Sequence, residues 1–305
     1  MPLHINTPLL ESLPLSAITR KHIWLKMDAL QPSGSFKIRG VGLACEEYAR
    51  QGKTRFVSSS GGNAGIAVAY AGRKLGLPVV VVVPESTSER ACALIREQQA
   101  TLVVQGATWA EANTHALSLL NDSDAFIHPF DDPLLWQGHA SIIDEVAAEA
   151  MRPDAIVLSV GGGGLFAGVM EGLQRNGWAD MPVITVETDG TASLARAVEQ
   201  RDRVTLPTIT GVATSLGAKQ VCEQAFSLAM SHPVSPAVVT DRQAVQACRR
   251  FIDDHRVLIE PACGASLALV YEASHLLNDY ENILVIVCGG VTASVEQVMS
   301  WTETH

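Results

Sequence analysis

The chain has no apolar stretch long enough to cross a bilayer. Its most conspicuous run, Val79 to Val83, is far short of the roughly 20 residues a membrane helix needs. Positive charge is also scarce: 22 Lys and Arg stand against 32 Asp and Glu, a formal charge of −10. That balance excludes a nucleic-acid-binding surface, which requires clustered cations, so any anion must be held locally. The six cysteines (Cys45, Cys92, Cys222, Cys248, Cys263, Cys288) form no Cys-x-x-Cys pair and lie in apolar stretches. They read as reduced, buried thiols of a cytoplasmic protein rather than as a metal site or disulfide frame. Met1 is followed by Pro2, His4 and Asn6 with no basic start or apolar core, so no secretory signal is expected. Neither His128 nor His139 has metal-ligand spacing; Asp131-Asp132 and Asp253-Asp254 read as solvated or capping carboxylates, and Trp24, Trp109 and Trp136 as packing residues.

What is present is an alternation. Short β-branched runs (Phe56-Val57, Val79 to Val83, Leu102 to Val104) alternate with helical patterns (Ala64 to Leu75, Glu89 to Gln98, Trp109 to Leu120). The rhythm resumes at Ala155 to Val160, Leu165 to Leu173 and Val183 to Val186, and closes with Ile283 to Val287 and a helix from Ala293. This order predicts an α/β protein with two open, mostly parallel sheets flanked by helices. At 305 residues there is room for two cores. Breaks before residue 31 and around Asp131-Asp132-Pro133 place a small α/β domain at about 31–130, with 1–30 joining 131–305 in a larger one. A cleft between the two is the expected ligand site. The helix around Trp136 to Ala148 is left open to substrate or a subunit partner.

Four segments break the rhythm with chemistry. Gln31 to Gly40 reads Gln-Pro-Ser-Gly-Ser-Phe-Lys-Ile-Arg-Gly, placing Lys37 beside an aromatic ring after a tight turn. Either Lys37 is a desolvated amine suited to a Schiff base, or Ser33 or Ser35 caps a helix with an exposed lysine one turn in. Ser58 to Gly65 follows a strand and opens a helix of small residues. It either offers N–H groups and hydroxyls to a carboxylate, or makes a tight connection capped by Asn63 or a serine. Gly161-Gly162-Gly163-Gly164, between an apolar strand and a helix, is a nest suited to phosphate and not the dinucleotide fingerprint. Val287-Cys288-Gly289-Gly290 ends another strand. There Cys288 is either a weak neutral partner for a ring nitrogen or a core thiol.

In this order and spacing the segments resemble the fold-type II pyridoxal phosphate-dependent enzymes, whose fold is that of the tryptophan synthase β chain, and in particular the L-serine/L-threonine dehydratase branch. The likeness rests on Lys26-Met27-Asp28, the decapeptide, Ser59 to Gly65, Val186-Glu187-Thr188, Ile259 to Ala265 and Val287 to Gly290. It implies that Lys37 carries the cofactor as a Schiff base, that Phe36 stacks on its ring, and that Asn63 bonds its phenolic oxygen. The amides of Gly161, Gly162, Gly163, Gly164 and Leu165 would hold the phosphate, and Cys288 would face the pyridine nitrogen, a place other branches often give to Ser or Thr. Ser60, Gly61, Gly62 and Asn63 would bind the substrate carboxylate. Glu187, with carbonyls of Gly161, Thr191, Leu216 and Ala218, would hold a monovalent cation such as K⁺.

The implied reaction is β-elimination of L-serine or L-threonine to pyruvate or 2-oxobutanoate plus ammonia, with Lys37 as general base, in a homodimer. Related racemases and many biosynthetic threonine dehydratases carry serine at position 61. Gly61 therefore argues against racemisation and for a looser carboxylate loop. The chain ends soon after its final helix, so no regulatory domain and no feedback control by isoleucine are expected. The alternatives are β-replacement of the cysteine synthase type, whose loop reads Thr-Ser-Gly-Asn-Thr-Gly where this chain has Ser-Gly-Gly-Asn-Ala-Gly, and a non-catalytic, amino-acid-sensing protein that keeps the cofactor.

Overall fold

The computed structural model describes residues 1–149 and 151–304. The chain opens with β1 (Leu9–Glu11), α1 (Leu13–Thr19) and β2 (His22–Lys26), followed by α2 (Lys37–Arg50). Next come β3 (Arg55–Ser58), α3 (Asn63–Leu75), β4 (Val79–Val83), α4 (Glu89–Glu97), β5 (Thr101–Val104), α5 (Trp109–Ser118) and β6 (Asp124–Phe126). The second half holds α6 (Pro133–Ala148), β7 (Ala155–Ser159), α7 (Gly164–Arg175), β8 (Val183–Thr188), α8 (Ser193–Gln200), α9 (Glu223–Ser231) and β9 (Val234–Val239). It closes with α10 (Asp241–His255), α11 (Pro261–Tyr271), β10 (Asn282–Ile286) and α12 (Val295–Thr304).

The strands form two largely parallel sheets, as the alternation predicts. One has four strands in the order β5-β4-β3-β6; the other has six in the order β1-β2-β10-β7-β8-β9. Among the strands of the described residues only the β1–β2 pair is antiparallel. Val79 to Val83 runs continuously apolar because β4 is an inner strand with helices over its sheet, Val79 pairing with Phe56 and Val80 with Thr101. In the larger sheet every residue of α11 is buried, and its side chains share one core with β7, β8 and β10. No helix among the described residues is long and apolar enough to cross a membrane.

Helix starts divide into two kinds. Ser12, Ser88, Thr108, Asp132 and Thr240 each accept a backbone N–H at the start of α1, α4, α5, α6 and α10. In contrast, α3 follows Gly62 and α7 follows Gly163, neither with a side-chain cap. Their first N–H groups thus remain available to a ligand. Gly161–Gly164 follows β7 and Cys288–Gly290 follows β10, two neighbouring strands of the larger sheet, while the Ser59–Gly62 loop follows β3. All three leave the carboxyl ends of parallel strands, where open α/β sheets bind ligands.

The helix left open to substrate or partner packs one face inside the molecule, with Gln137 and Ala148 exposed. Gly138 of α6 lies against Arg39 and Gly40 of α2, and Gly168 and Gly172 of α7 lie against α6. The Trp136 indole donates to Phe130 O at 2.9 Å.

Candidate active site

The lysine loop is zipped onto the end of β10. Ala29 N donates to Val287 O (2.8 Å), Phe36 N to Cys288 O (3.0 Å) and Gly290 N to Gly34 O (3.0 Å). Close approach demands glycine: Gly34 has φ +78°, and a Cβ there would lie 2.4 Å from the Val291 side chain. The capping account of this segment fails, because α2 has no side-chain cap and begins at Lys37 itself. Lys37 Nζ donates to Pro129 O at 2.6 Å and lies 5.2 Å from the centre of the Phe36 ring. Burial pushes its pKa down to about 8, against the opposing pull of Cys288 and Glu260. Phe36 is backed by the buried His139 ring at 4.8 Å, which burial and the nearby Lys37 and Arg39 keep neutral.

Across the cleft, Asn63 begins α3 and caps nothing. Its Nδ2 donates to Glu260 Oε1 at 2.7 Å and its Oδ1 accepts from Val291 N at 3.2 Å. Ser60 Oγ accepts from Gly62 N at 3.3 Å, folding the loop on itself. The space beside Gly61 is filled: a Cβ built there would lie 2.7 Å from Thr87 Cγ2 and 2.8 Å from Thr87 Oγ1. Thr87, on the β4–α4 turn, closes the side that the sequence leaves loose. Gly61→Ala is therefore expected to destabilise the protein by about 1–2 kcal/mol through overpacking. Thr87→Ala in the same chain should recover most of that loss. Thermal melts of the two single variants, the double variant and the parent decide it, and additive losses would show that the contact is not formed.

The four glycines after β7 are each required by a neighbour. A Cβ on Gly162 would lie 2.3 Å from the Phe130 ring, on Gly163 2.4 Å from Ala225 Cβ, on Gly164 2.6 Å from Phe130 O and on Gly161 3.0 Å from Leu216 Cα. Gly163 also has φ +94°. The loop leads into the uncapped start of α7 at Gly164 and Leu165, a backbone cradle of the kind that holds phosphate. On the same wall, a thiol–thiol hydrogen bond with Cys263 and burial push the Cys288 pKa well up. Cys288 thus faces the cleft as a neutral thiol.

The expected cation group lies just behind this loop. Glu187, the last residue but one of β8, is fully buried, its carboxylate accepting from Leu194 N (2.8 Å) and Ala195 N (2.7 Å) at the start of α8. Burial pushes its pKa up to about 7, against the lowering effect of those donors. Thr191 is buried in the β8–α8 turn and bonds Thr188. Leu216 and Ala218 lie on the segment that packs against Gly161, with Ala218 N donating to Leu216 O at 2.7 Å. No cluster of three or more His, Cys, Asp or Glu able to hold a metal occurs among the described residues. A cation here would rest on one carboxylate and on carbonyls.

Lys37, Phe36, Ser60, Gly61, Gly62, Asn63, Gly161–Leu165 and Cys288 all line one cleft of about 970 Å³. Sequence reasoning assigned no role to Glu260, Thr292 or Thr87, which also line it. Glu260 stands in the Ile259 to Ala265 segment, but nothing in the order of residues shows that it meets Asn63. Trp109, expected to pack, stands 43% exposed at the edge of this cleft. Asp132 does cap α6, as one reading of Asp131-Asp132 has it. The cleft suits pyridoxal phosphate: it offers an amine with a depressed pKa for an aldehyde, a glycine cradle for phosphate, and a neutral thiol rather than a carboxylate for the ring nitrogen.

Residues 1–289 match the family described as pyridoxal-phosphate dependent enzyme. The L-serine dehydratase of Dictyostelium discoideum is 44% identical, the match covering 99% of this chain and 93% of that protein. The human L-serine dehydratase/L-threonine deaminase is 45% identical over 99% of this chain and 95% of its own length. The crystal structure of a fungal L-serine ammonia-lyase from Rhizomucor miehei superposes with a TM-score of 0.94 at 36% identity, covering 99% of each chain.

Proposed function

The chain belongs to the family of pyridoxal-phosphate dependent enzymes, and from that premise we propose that it eliminates water from L-serine and L-threonine, yielding pyruvate or 2-oxobutanoate and ammonia. The observation that carries this reading is Lys37: an amine with a pKa lowered to about 8, at the head of a helix, between Phe36 and Cys288. Residues Gly161 to Leu165 would hold the cofactor's phosphate, Asn63 its phenolic oxygen and Cys288 its ring nitrogen. When bound, pyridoxal phosphate supplies the electron sink for breaking the Cα–H bond.

The chain's own residues do the rest. The Ser60 hydroxyl and the backbone N–H groups of Gly61, Gly62 and Asn63 orient the substrate carboxylate at the uncapped start of α3. Lys37 Nζ, freed once the substrate amine takes its place, holds the proton taken from Cα. A neutral thiol at Cys288 does not favour a protonated ring nitrogen as a carboxylate would. This favours prompt loss of the β-hydroxyl over long-lived negative charge on the substrate. The hydroxyl leaves as water, and the enamine released takes up water to give the 2-oxo acid and ammonia.

The test is to supply cofactor and L-serine or L-threonine and to measure 2-oxo acid and ammonia together. Equal amounts of the two are expected. Cysteine formed from O-acetyl-L-serine and sulfide, without oxo acid from serine, would instead identify a replacement enzyme. The Lys37 pKa gives a second expectation. Below about 8 most of the amine is protonated and cannot attack an aldehyde, so capture of pyridoxal phosphate by cofactor-free protein should speed up about tenfold per pH unit and level off above pH 8. A rate still climbing toward pH 10 would mean that the amine is not desolvated.

The same reading includes a monovalent cation at Glu187, supported by that carboxylate's burial. It also takes the protein as a cytoplasmic homodimer, supported by six buried free cysteines and by the family likeness. Sedimentation and activity in K⁺-free buffer test the two.

A further inference from the structure

Glu260 is one of the buried carboxylates of the molecule, 6% exposed, and it sits at the floor of the cleft. Its Oε1 accepts from Asn63 Nδ2 at 2.7 Å and its Oε2 from Thr292 Oγ1 at 3.0 Å. The adjoining backbone is shaped to admit it: Gly290 has φ +135°, and a Cβ there would lie 2.2 Å from Glu260 Cγ. Glu260 follows Ile259 and precedes Pro261 at the head of α11, yet it does not cap that helix. Its carboxylate is turned away from its own helix and given to a residue 197 positions earlier.

A side-chain amide can stand in either of two orientations related by a flip, and its neighbours decide which. Asn63 is fixed at both ends. Its Oδ1 takes the N–H of Val291, and its Nδ2 meets a group that, when ionised, only accepts. The opposite orientation would set Oδ1 against a carboxylate oxygen and leave a buried donor and acceptor unpaired. With Glu260 in place, the second Nδ2 hydrogen is the one left free. Ser215 Oγ, 3.5 Å away, is a distant alternative partner.

We propose that Glu260 is a positioning residue that holds the Asn63 amide with its NH₂ group toward the cleft, so that Asn63 donates to the phenolic oxygen of the cofactor. This rests on the function proposed above and deepens it. Glu260 makes no hydrogen bond to Lys37, on whose amine it acts through space alone; its hydrogen bond toward the cofactor's phenolic oxygen runs through Asn63. A glutamine at 260 keeps the size but can itself stand either way, so it no longer dictates the orientation of Asn63.

The experiment measures pyridoxal phosphate binding and the visible spectrum of the bound cofactor for wild type, Glu260→Gln, Asn63→Ala and the double variant, with thermal melts to confirm folding. Glu260→Gln is expected to weaken cofactor binding about 3–10-fold and to shift the ratio of the bound cofactor's absorption bands. In the Asn63→Ala background the same change should alter binding less than about twofold, because the residue it acts through is gone. Equal effects in both backgrounds would overturn the proposal, as would a Glu260→Gln protein with the binding and spectrum of wild type. Should the double variant fail to fold, the spectrum of Glu260→Gln alone decides. Wild type that takes up no pyridoxal phosphate would instead defeat the functional reading itself.

Discussion

Lys37→Ala is expected to lower 2-oxo acid release from L-serine by about 10⁴-fold or more, because one side chain supplies both the attachment point and the general base, the latter alone worth up to about 10⁴. The substitution removes a half-buried side chain whose one polar contact among the described residues is to Pro129 O, so the protein should still melt cooperatively. It should also lose the visible band of lysine-linked cofactor while keeping phosphate-dependent binding at the Gly161–Gly164 loop. A small primary amine added in solution should restore part of the activity by replacing the missing base. A variant that still turns over serine within about tenfold of wild type would show that another group removes the Cα proton.

The largest expected loss of stability comes from Arg39→Ala, two residues further along α2. The Arg39 guanidinium is fully buried and fully used. Nε and Nη2 reach Asp28 at 2.7 and 2.9 Å, Nη1 and Nη2 reach Glu145 at 2.6 and 2.8 Å, and Ser141 and Thr7 take further bonds at 3.0 and 3.1 Å. Lys26 completes the group, pairing with Glu145 at 2.5 Å. Burial opposes the charge, but Asp28 and Glu145 more than offset it and hold Arg39 ionised. Two cations and two carboxylates balance, so removing Arg39 strands Asp28, which has no exposure at all. The expected cost is about 3–5 kcal/mol, or roughly 10 °C in Tm. Arg39→Lys should lose much of the same amount, since an ammonium cannot reproduce the planar fork. A loss below about 1 kcal/mol for Arg39→Ala would mean that the four charges do not depend on one another. The cluster joins the N-terminal segment, β2, α2 and α6, and so sets where the first turn of α2, with Lys37, stands.

The parts of the site legible in sequence are those where one short segment carries both the chemistry and the backbone shape it needs. Gly161 to Gly164 stands out because four successive positions must lack a side chain, against Leu216, Phe130 and Ala225. The lysine loop stands out because its glycine and serines interrupt an otherwise regular pattern. Pairings between distant positions leave no such mark. Asn63 with Glu260 spans 197 residues and Arg39 with Glu145 spans 106, and neither partner's local pattern differs from that of a surface carboxylate.

Among the strands, β4 announces itself with five valines. In contrast β6 is three residues long, and β9 carries Pro236 on an edge where only one side of the strand is paired. Gly61 shows the limit from the other side. Its missing side chain is visible in sequence, but the Thr87 side chain that takes up the space arrives from a different loop. Strands β3 to β6 make one sheet and the remaining strands the other, and domain limits near residues 31 and 131 are our proposal for where the chain passes between them.

The most direct test is hydride trapping. Borohydride reduction of the cofactor-loaded protein, followed by peptide mapping and assay of serine turnover, asks whether the attached cofactor and the reacting site are the same. The account predicts a single phosphopyridoxyl label on the peptide bearing Lys37, with serine turnover lost in proportion to labelling. A label on another lysine, or full turnover of L-serine by protein labelled at Lys37, would contradict it.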